Sequence, residues 1–125
     1  MAKKLTEQNH VVSRGTLLNK KSIKFKVAIT DQLDNRYCFK LLNNTHIKSF
    51  HRFLDETVNK GLSISDVDKL YRRTKGPKES IKVHNQKFEL IHLGKDQKPF
   101  RIFGYYNPDN YFVITKIDPK HKVHP

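Results

Sequence analysis

Residues 98 to 124, KPFRIFGYYNPDNYFVITKIDPKHKVH, read as two β-strands joined by a tight turn. Pro99 to Tyr106 carries Phe100, Ile102, Phe103, Tyr105 and Tyr106; Asn107-Pro108-Asp109-Asn110 is turn chemistry; Tyr111 to Ile117 resumes a β-branched and aromatic run. Both strands are apolar at nearly every position, not at alternate ones. That pattern belongs to strands in the middle of a sheet with material packed on each face. The polar exceptions, Arg101, Thr115 and Lys116, therefore call for a reason. A basic tail, Lys120-His121-Lys122-Val123-His124, leaves the second strand.

Working outward from this hairpin, Ile81 to Val83 and Lys87 to Leu93 read as strand, with a possible turn at His84-Asn85-Gln86, and Gly94 to Gln97 turns into the hairpin. Before them the period changes to about 3.6. Ile47, Phe50, Phe53, Leu54 and Val58 share one helical face, Asn43-Asn44-Thr45 supplies N-cap side chains, and Gly61 suits the position after the helix end. Ser65 with Asp68 resembles a capping box for a second, short helix with Val67, Leu70 and Tyr71 inward, Arg72, Arg73 and Lys75 at its end, and Gly76-Pro77 closing it. Further back, Ile23, Phe25, Val27 and Ile29 alternate with Lys24, Lys26, Ala28 and Thr30. Tyr37, Phe39 and Leu41 do the same across Arg36 to Leu42, so a hairpin is expected around Asp31 to Asn35. Val11 to Leu18, interrupted by Gly15, leaves open an edge strand, and residues 1–10 read as a flexible basic arm.

The order gives an α+β fold: an antiparallel sheet with two helices packed on one face, the other face left free, in a single domain over 11–125. A chain of 125 residues is long enough for a core without staples. Its single cysteine, Cys38, excludes an internal disulfide and reads as a small apolar side chain. No apolar leader and no membrane-length span is present, so a cytoplasmic location is expected. Twenty-five Lys and Arg against twelve Asp and Glu leave a formal charge of +13. Such an excess repels itself in a compact domain and points to a polyanion, foremost nucleic acid. A solvated surface or an acidic protein partner also fits the charge. Phosphate-loop, GxSxG and HExxH motifs are absent, which disfavours nucleotide hydrolases, serine hydrolases and zincins. His84 and His92 have no Cys or carboxylate pair at metal spacing, so neither metal nor cofactor is expected.

Phe88-Glu89-Leu90 followed by Gly94, Phe100-Arg101-Ile102-Phe103, and Ile114 to Asp118 with Lys120-His121-Lys122 together resemble the RelE/ParE toxin superfamily. The likeness is to its RelE and HigB-like mRNA endonucleases and covers roughly Leu41 to the end. The chain differs in carrying the N-terminal hairpin where that family has one short strand. The resemblance implies an RNA-cleaving toxin acting on mRNA, associated with the ribosome and neutralised by an antitoxin protein.

Metal-independent transesterification needs a base for the 2′-hydroxyl, an acid for the leaving 5′-oxygen and a cation for the phosphorane. Arg101 suits the last role through its planar fork, although a salt bridge to Glu89 or Asp118 is an equal alternative. His121 and His124 are candidate acid and base, since an imidazole of reference pKa ~6.5 serves in both directions. Lys122 completes the catalytic candidates. Lys116, Lys120, Tyr105, Arg72 and Arg73 form the candidate RNA-contact set. Tyr105 and Tyr106 point to opposite faces, leaving open which could stack a base. The alternative is a basic RNA- or DNA-binding accessory protein, of a phage or mobile element, that cleaves nothing.

Overall fold

The computed structural model describes residues 22–74, 78–95 and 97–123. The basic arm, the possible edge strand at 11–18, Gly76-Pro77 and His124 lie outside them. The elements in chain order are β1 (Val27–Ala28), α1 (Asn44–Glu56), α2 (Ile64–Tyr71), β2 (Glu79–Val83), β3 (Gln86–Gly94), β4 (Arg101–Tyr106) and β5 (Phe112–Asp118). The strands form one mixed sheet in the order β1-β5-β4-β3-β2; β1 runs parallel to β5 and the other pairs are antiparallel. The fold is thus α+β, a five-stranded sheet with two helices.

The decisive hairpin forms as its residues require. Asn107 is the organising residue of its turn: its side-chain oxygen accepts from the backbone N–H of Asp109 (3.0 Å) and Tyr111 (2.9 Å), and Asn110 takes the left-handed conformation that Asn tolerates. The β2–β3 turn uses His84 and Asn85, both at positive φ, as a two-residue hairpin whose twist matches its strands. Between β4 and β5 the register shifts: Phe103 pairs with Lys116 but Gly104 with Ile114, which leaves Thr115 as the extra residue of a bulge. The bulge is what lets Ile114 and Ile117, three apart, both enter the core.

That core lies between the helices and one sheet face. Phe53 and Phe50 from α1 and Val67 and Tyr71 from α2 meet Ile91, Leu93, Ile102, Phe112, Ile114 and Ile117. Phe25 packs edge-on to Phe53 (6.1 Å), which is edge-on to Tyr71 in turn (5.7 Å). Asn43 caps α1 in a reciprocal box with His46, whose ring nitrogen accepts the Asn43 N–H. Gly61, at φ 67°, makes the turn between the helices.

Three expectations are corrected. The cap of α2 is Ser63 with Asp66, not Ser65 with Asp68; Ser65 and Asp68 lie inside the helix. No N-terminal hairpin exists among the described residues. The segment at 23–25 bonds instead to the link between the helices (Phe25 N–H to Leu62 O, Ile64 N–H to Ile23 O, both 2.9 Å), leaving β1 only two residues on the edge of β5. Arg36 to Leu42 is a loop ending in a 3-10 turn at Phe39–Leu41. It reaches β5 through single bonds, Asp34 N–H to Thr115 O and Tyr37 O from Ile117 N–H, and must then deliver the chain to α1, where Phe39 packs on Phe50 at 5.9 Å. Tertiary context thus overrides an alternating pattern.

The third correction concerns the sheet face opposite the helices, which is not left free. Phe103, Tyr105 and Val113 point away from the helices yet are 1–4% exposed. Although β1 and β2 are at opposite edges of the sheet, His84 at the β2–β3 tip comes within 3.3 Å of the Asp31 carboxylate just beyond β1. The sheet is coiled strongly enough for that hairpin to arch across its own open face.

Candidate active site

On the face away from the helices, two rows of side chains follow from the strand register. One is Gly94, Arg101 and Asp118; the next is His92, Phe103 and Lys116. His92 stacks on Phe103 (centroids 4.3 Å, planes 17° apart), and the Lys116 ammonium lies 5.7 Å from the centre of the same ring. The tail brings His121 to this row, its ring 6.0 Å from that of His92 and tilted by 55°.

His121 is placed by Asp118. That carboxylate is 1% exposed and accepts the backbone N–H of Lys122 (3.0 Å) and Val123 (2.8 Å), one on each oxygen. The chain therefore turns tightly after β5, with His121 in the left-handed conformation at φ 56°. A non-glycine residue there carries strain that the charge-assisted bonds from the next two residues to Asp118 offset. Nearby, the hydrogen bonds from Arg36 lower the Asp34 carboxyl below its ordinary value despite some desolvation, and Lys116 adds to the effect.

Arg101 is 3% exposed. Its aliphatic stem crosses Gly94, where any Cβ would stand 2.4 Å from the arginine Cδ, and its Nη1 donates to the carbonyls of Lys95 (3.2 Å), Lys98 and Phe100 (3.1 Å). The guanidinium thus ties down the loop between β3 and β4. Of the two ion-pair alternatives, Asp118 is its cross-strand neighbour, whereas Glu89 pairs with Arg72 at 2.5 Å.

The remaining candidates fall in separate places. Lys122 is exposed at the tail turn beside His121, and Lys120 is exposed one residue before it. Tyr105 is 4% exposed and already stacked on Phe88 at 4.5 Å, while Tyr106 packs beneath the helices against Phe25 and Phe112. Burial pushes the Tyr106 phenol well up from its ordinary value. Arg72 is held by Asp68 (3.2 Å) and Glu89, and Arg73 bonds through its backbone to His92 O (2.8 Å). Both residues lie along the end of β3, Arg72 bridging to Leu93. Cys38 is half-buried and donates weakly to Asn35 O.

Two residues that sequence reasoning did not assign to the site are His92 and Asp118. His92 carried a signal: a lone histidine in an apolar strand whose partner strand places Phe103 opposite. Asp118 carried one too, as an acid closing an apolar strand just before a basic turn.

Among the described residues no cluster of three or more His, Cys, Asp or Glu could hold a metal ion, and no helix is long and apolar enough to cross a membrane. Comparison with known proteins adds no relative: no family model, no curated protein and no solved structure matches the chain.

Proposed function

We propose that the protein is an RNA-cleaving enzyme of the toxin type, acting by acid/base transesterification at the His92–His121 pair. The spacing of those two rings, 6.0 Å between centroids beside the Lys116 ammonium, is the observation that carries the reading. An in-line displacement places the attacking and leaving oxygens on opposite sides of phosphorus. Each needs a partner within roughly 2.6–3.2 Å, so the two groups must flank the phosphate.

One imidazole takes the 2′-hydroxyl proton as the 2′-oxygen bonds to phosphorus. The other, as imidazolium, protonates the 5′-oxygen as its bond to phosphorus breaks, leaving a 2′,3′-cyclic phosphate. Lys116 and Lys122 stabilise the phosphorane charge, and the general charge of +13 draws the polyanion in. In this reading Arg101 and Asp118 are positioning residues. Action on mRNA at the ribosome and control by an antitoxin, as in RelE-like toxins, belong to the same proposal.

The burial of Arg101 favours a second reading, because a guanidinium committed to loop carbonyls is not offered to a phosphorane. A basic module that binds RNA or DNA without cutting it then needs only its exposed cations.

Purified protein incubated with single-stranded RNA in EDTA and, in parallel, with mRNA on translating ribosomes decides between them, RNA intact in both arms counting against cleavage. The first reading expects cyclic-phosphate ends, and a rate that falls by roughly 10² or more in His121→Ala and His92→Ala, the scale of a lost general acid or base. RNA recovered intact, or cleavage unchanged in both variants, would refute it and leave the binding module.

A further inference from the structure

A second site lies around the corner from the imidazoles, on the helix side at the end of the sheet. Between α1 and the ends of β3 and β5 is a groove of about 600 Å³, within the usual range for small-molecule sites. Its floor is apolar, formed by Phe53, Phe100 and Ile102, and its rim carries Arg52, Lys95, Lys98 and Lys120. Among the described residues, the only carboxylate lining it is Glu56, which already accepts from Lys95 (both oxygens 3.2 Å) and from the Tyr71 hydroxyl (3.1 Å). Among the described lining residues, three of the four long cations are thus in excess over acid.

We infer that this groove binds a nucleoside monophosphate unit, the base on the apolar floor and the phosphate on Lys98, Lys120 and Arg52. A phosphate alone leaves the floor unused, and an apolar ligand leaves the cations unpaired; a planar base joined to an anion uses both. The loop bearing Lys95 and Lys98 is the one Arg101 ties down, so the rim is preorganised and little ordering cost falls on binding. Lys120 lines the groove while the next residue, His121, faces His92, so the two sites share one turn of chain. The inference does not need the imidazole pair to cut RNA.

Titration of the full-length protein with AMP, ribose 5-phosphate and inorganic phosphate, followed by calorimetry or amide chemical shifts, tests it. AMP should bind with a Kd below about 1 mM. Ribose 5-phosphate and phosphate should bind at least about tenfold more weakly, and Lys98→Ala with Arg52→Ala should weaken AMP about tenfold, while Lys82→Ala, exposed on β2 at the far edge of the sheet, binds as the parent does. Melting curves verify that the variants, altered only at exposed positions, stay folded. AMP binding no tighter than ribose 5-phosphate, AMP binding unaltered in the double variant, or no AMP binding at about 10 mM would each overturn the inference.

Discussion

Replacing Arg101 by Ala separates a structural arginine from a phosphate clamp. The wild-type guanidinium is 3% exposed and donates to the carbonyls of Lys95, Lys98 and Phe100. A hydrogen bond to a charged group contributes about 1.5–3 kcal/mol, and the bonds share one guanidinium, so they do not add in full. Truncation also leaves a void over Gly94, where the arginine stem now lies. Together these give a loss of roughly 3–5 kcal/mol, a large part of the 5–15 kcal/mol that holds a domain together. For a domain of this length that lowers the melting temperature by roughly 10 °C or more. A calorimetric or circular-dichroism melt measures it. A variant that melts within about 2 °C of the parent, while RNA binding or cleavage collapses, would show that Arg101 faces the substrate and that the reasoning from burial is wrong.

Gly104→Ala should unfold the protein or cost several kcal/mol, because a Cβ there would lie 2.2 Å from the Val113 carbonyl, which a chemical-denaturation curve would show. Acid should destabilise the fold as pH falls below the ordinary carboxylate range. Burial pushes the Glu56 carboxyl up, but its bonds from Lys95 and Tyr71 outweigh that and hold it below its usual value, and Asp34 is held down by Arg36. Lowered folded values mean that stability is complete above the unfolded pKa values, near 4, and is lost as protons bind the folded carboxylates. Glu56→Gln should flatten that acid limb in melts across pH 3 to 6, roughly the span of carboxylate titration. At the alkaline end the Tyr71 phenol, pushed up to about 12 by burial and by Glu56, contributes stability below pH ~10 that disappears as pH rises through its folded value; Tyr71→Phe should remove that slope.

The central hairpin, the β2–β3 strands and both helices were legible because each rests on local chemistry: turn side chains, caps and a change of period. Even the bulge left a trace. Ile114 and Ile117 are three apart in a strand, which a regular pleat cannot send to one face, and the polar Thr115 between them is the residue set aside. What could not be read was long-range. Phe25 is buried because the link between the helices pairs with its backbone, and Phe39 and Leu41 stay 40% and 54% exposed because the chain turns there into α1. The candidate site divides in the same way. His121, Lys116 and Lys122 were read from residue type and position. The partnership of His121 with His92 depends on the register of β3 against β4 and on how Asp118 folds the tail back, neither of which a local pattern encodes. Arg101 was singled out correctly as an anomaly in an apolar strand, but its burial depends on the stem space that Gly94 leaves.

Asp118 is where this division can be tested most finely. Its two oxygens each accept one backbone N–H, from Lys122 and Val123, and it is closed off from solvent. An Asn keeps the shape but has one acceptor oxygen, and its amide group would face an N–H donor. One bond to a charged acceptor is lost, worth about 1.5–3 kcal/mol, and it is lost from the turn that holds His121 at a strained φ. The strain then has an outlet, and the imidazole leaves its place beside His92. Asp118→Asn should therefore reduce kcat for RNA cleavage by about tenfold or more. AMP binding in the groove should weaken less, since Arg52 and Lys98 lie outside that turn. Equal losses in cleavage and AMP binding would mean that the sheet end loosened as a whole, and that Asp118 holds the fold and not one side chain.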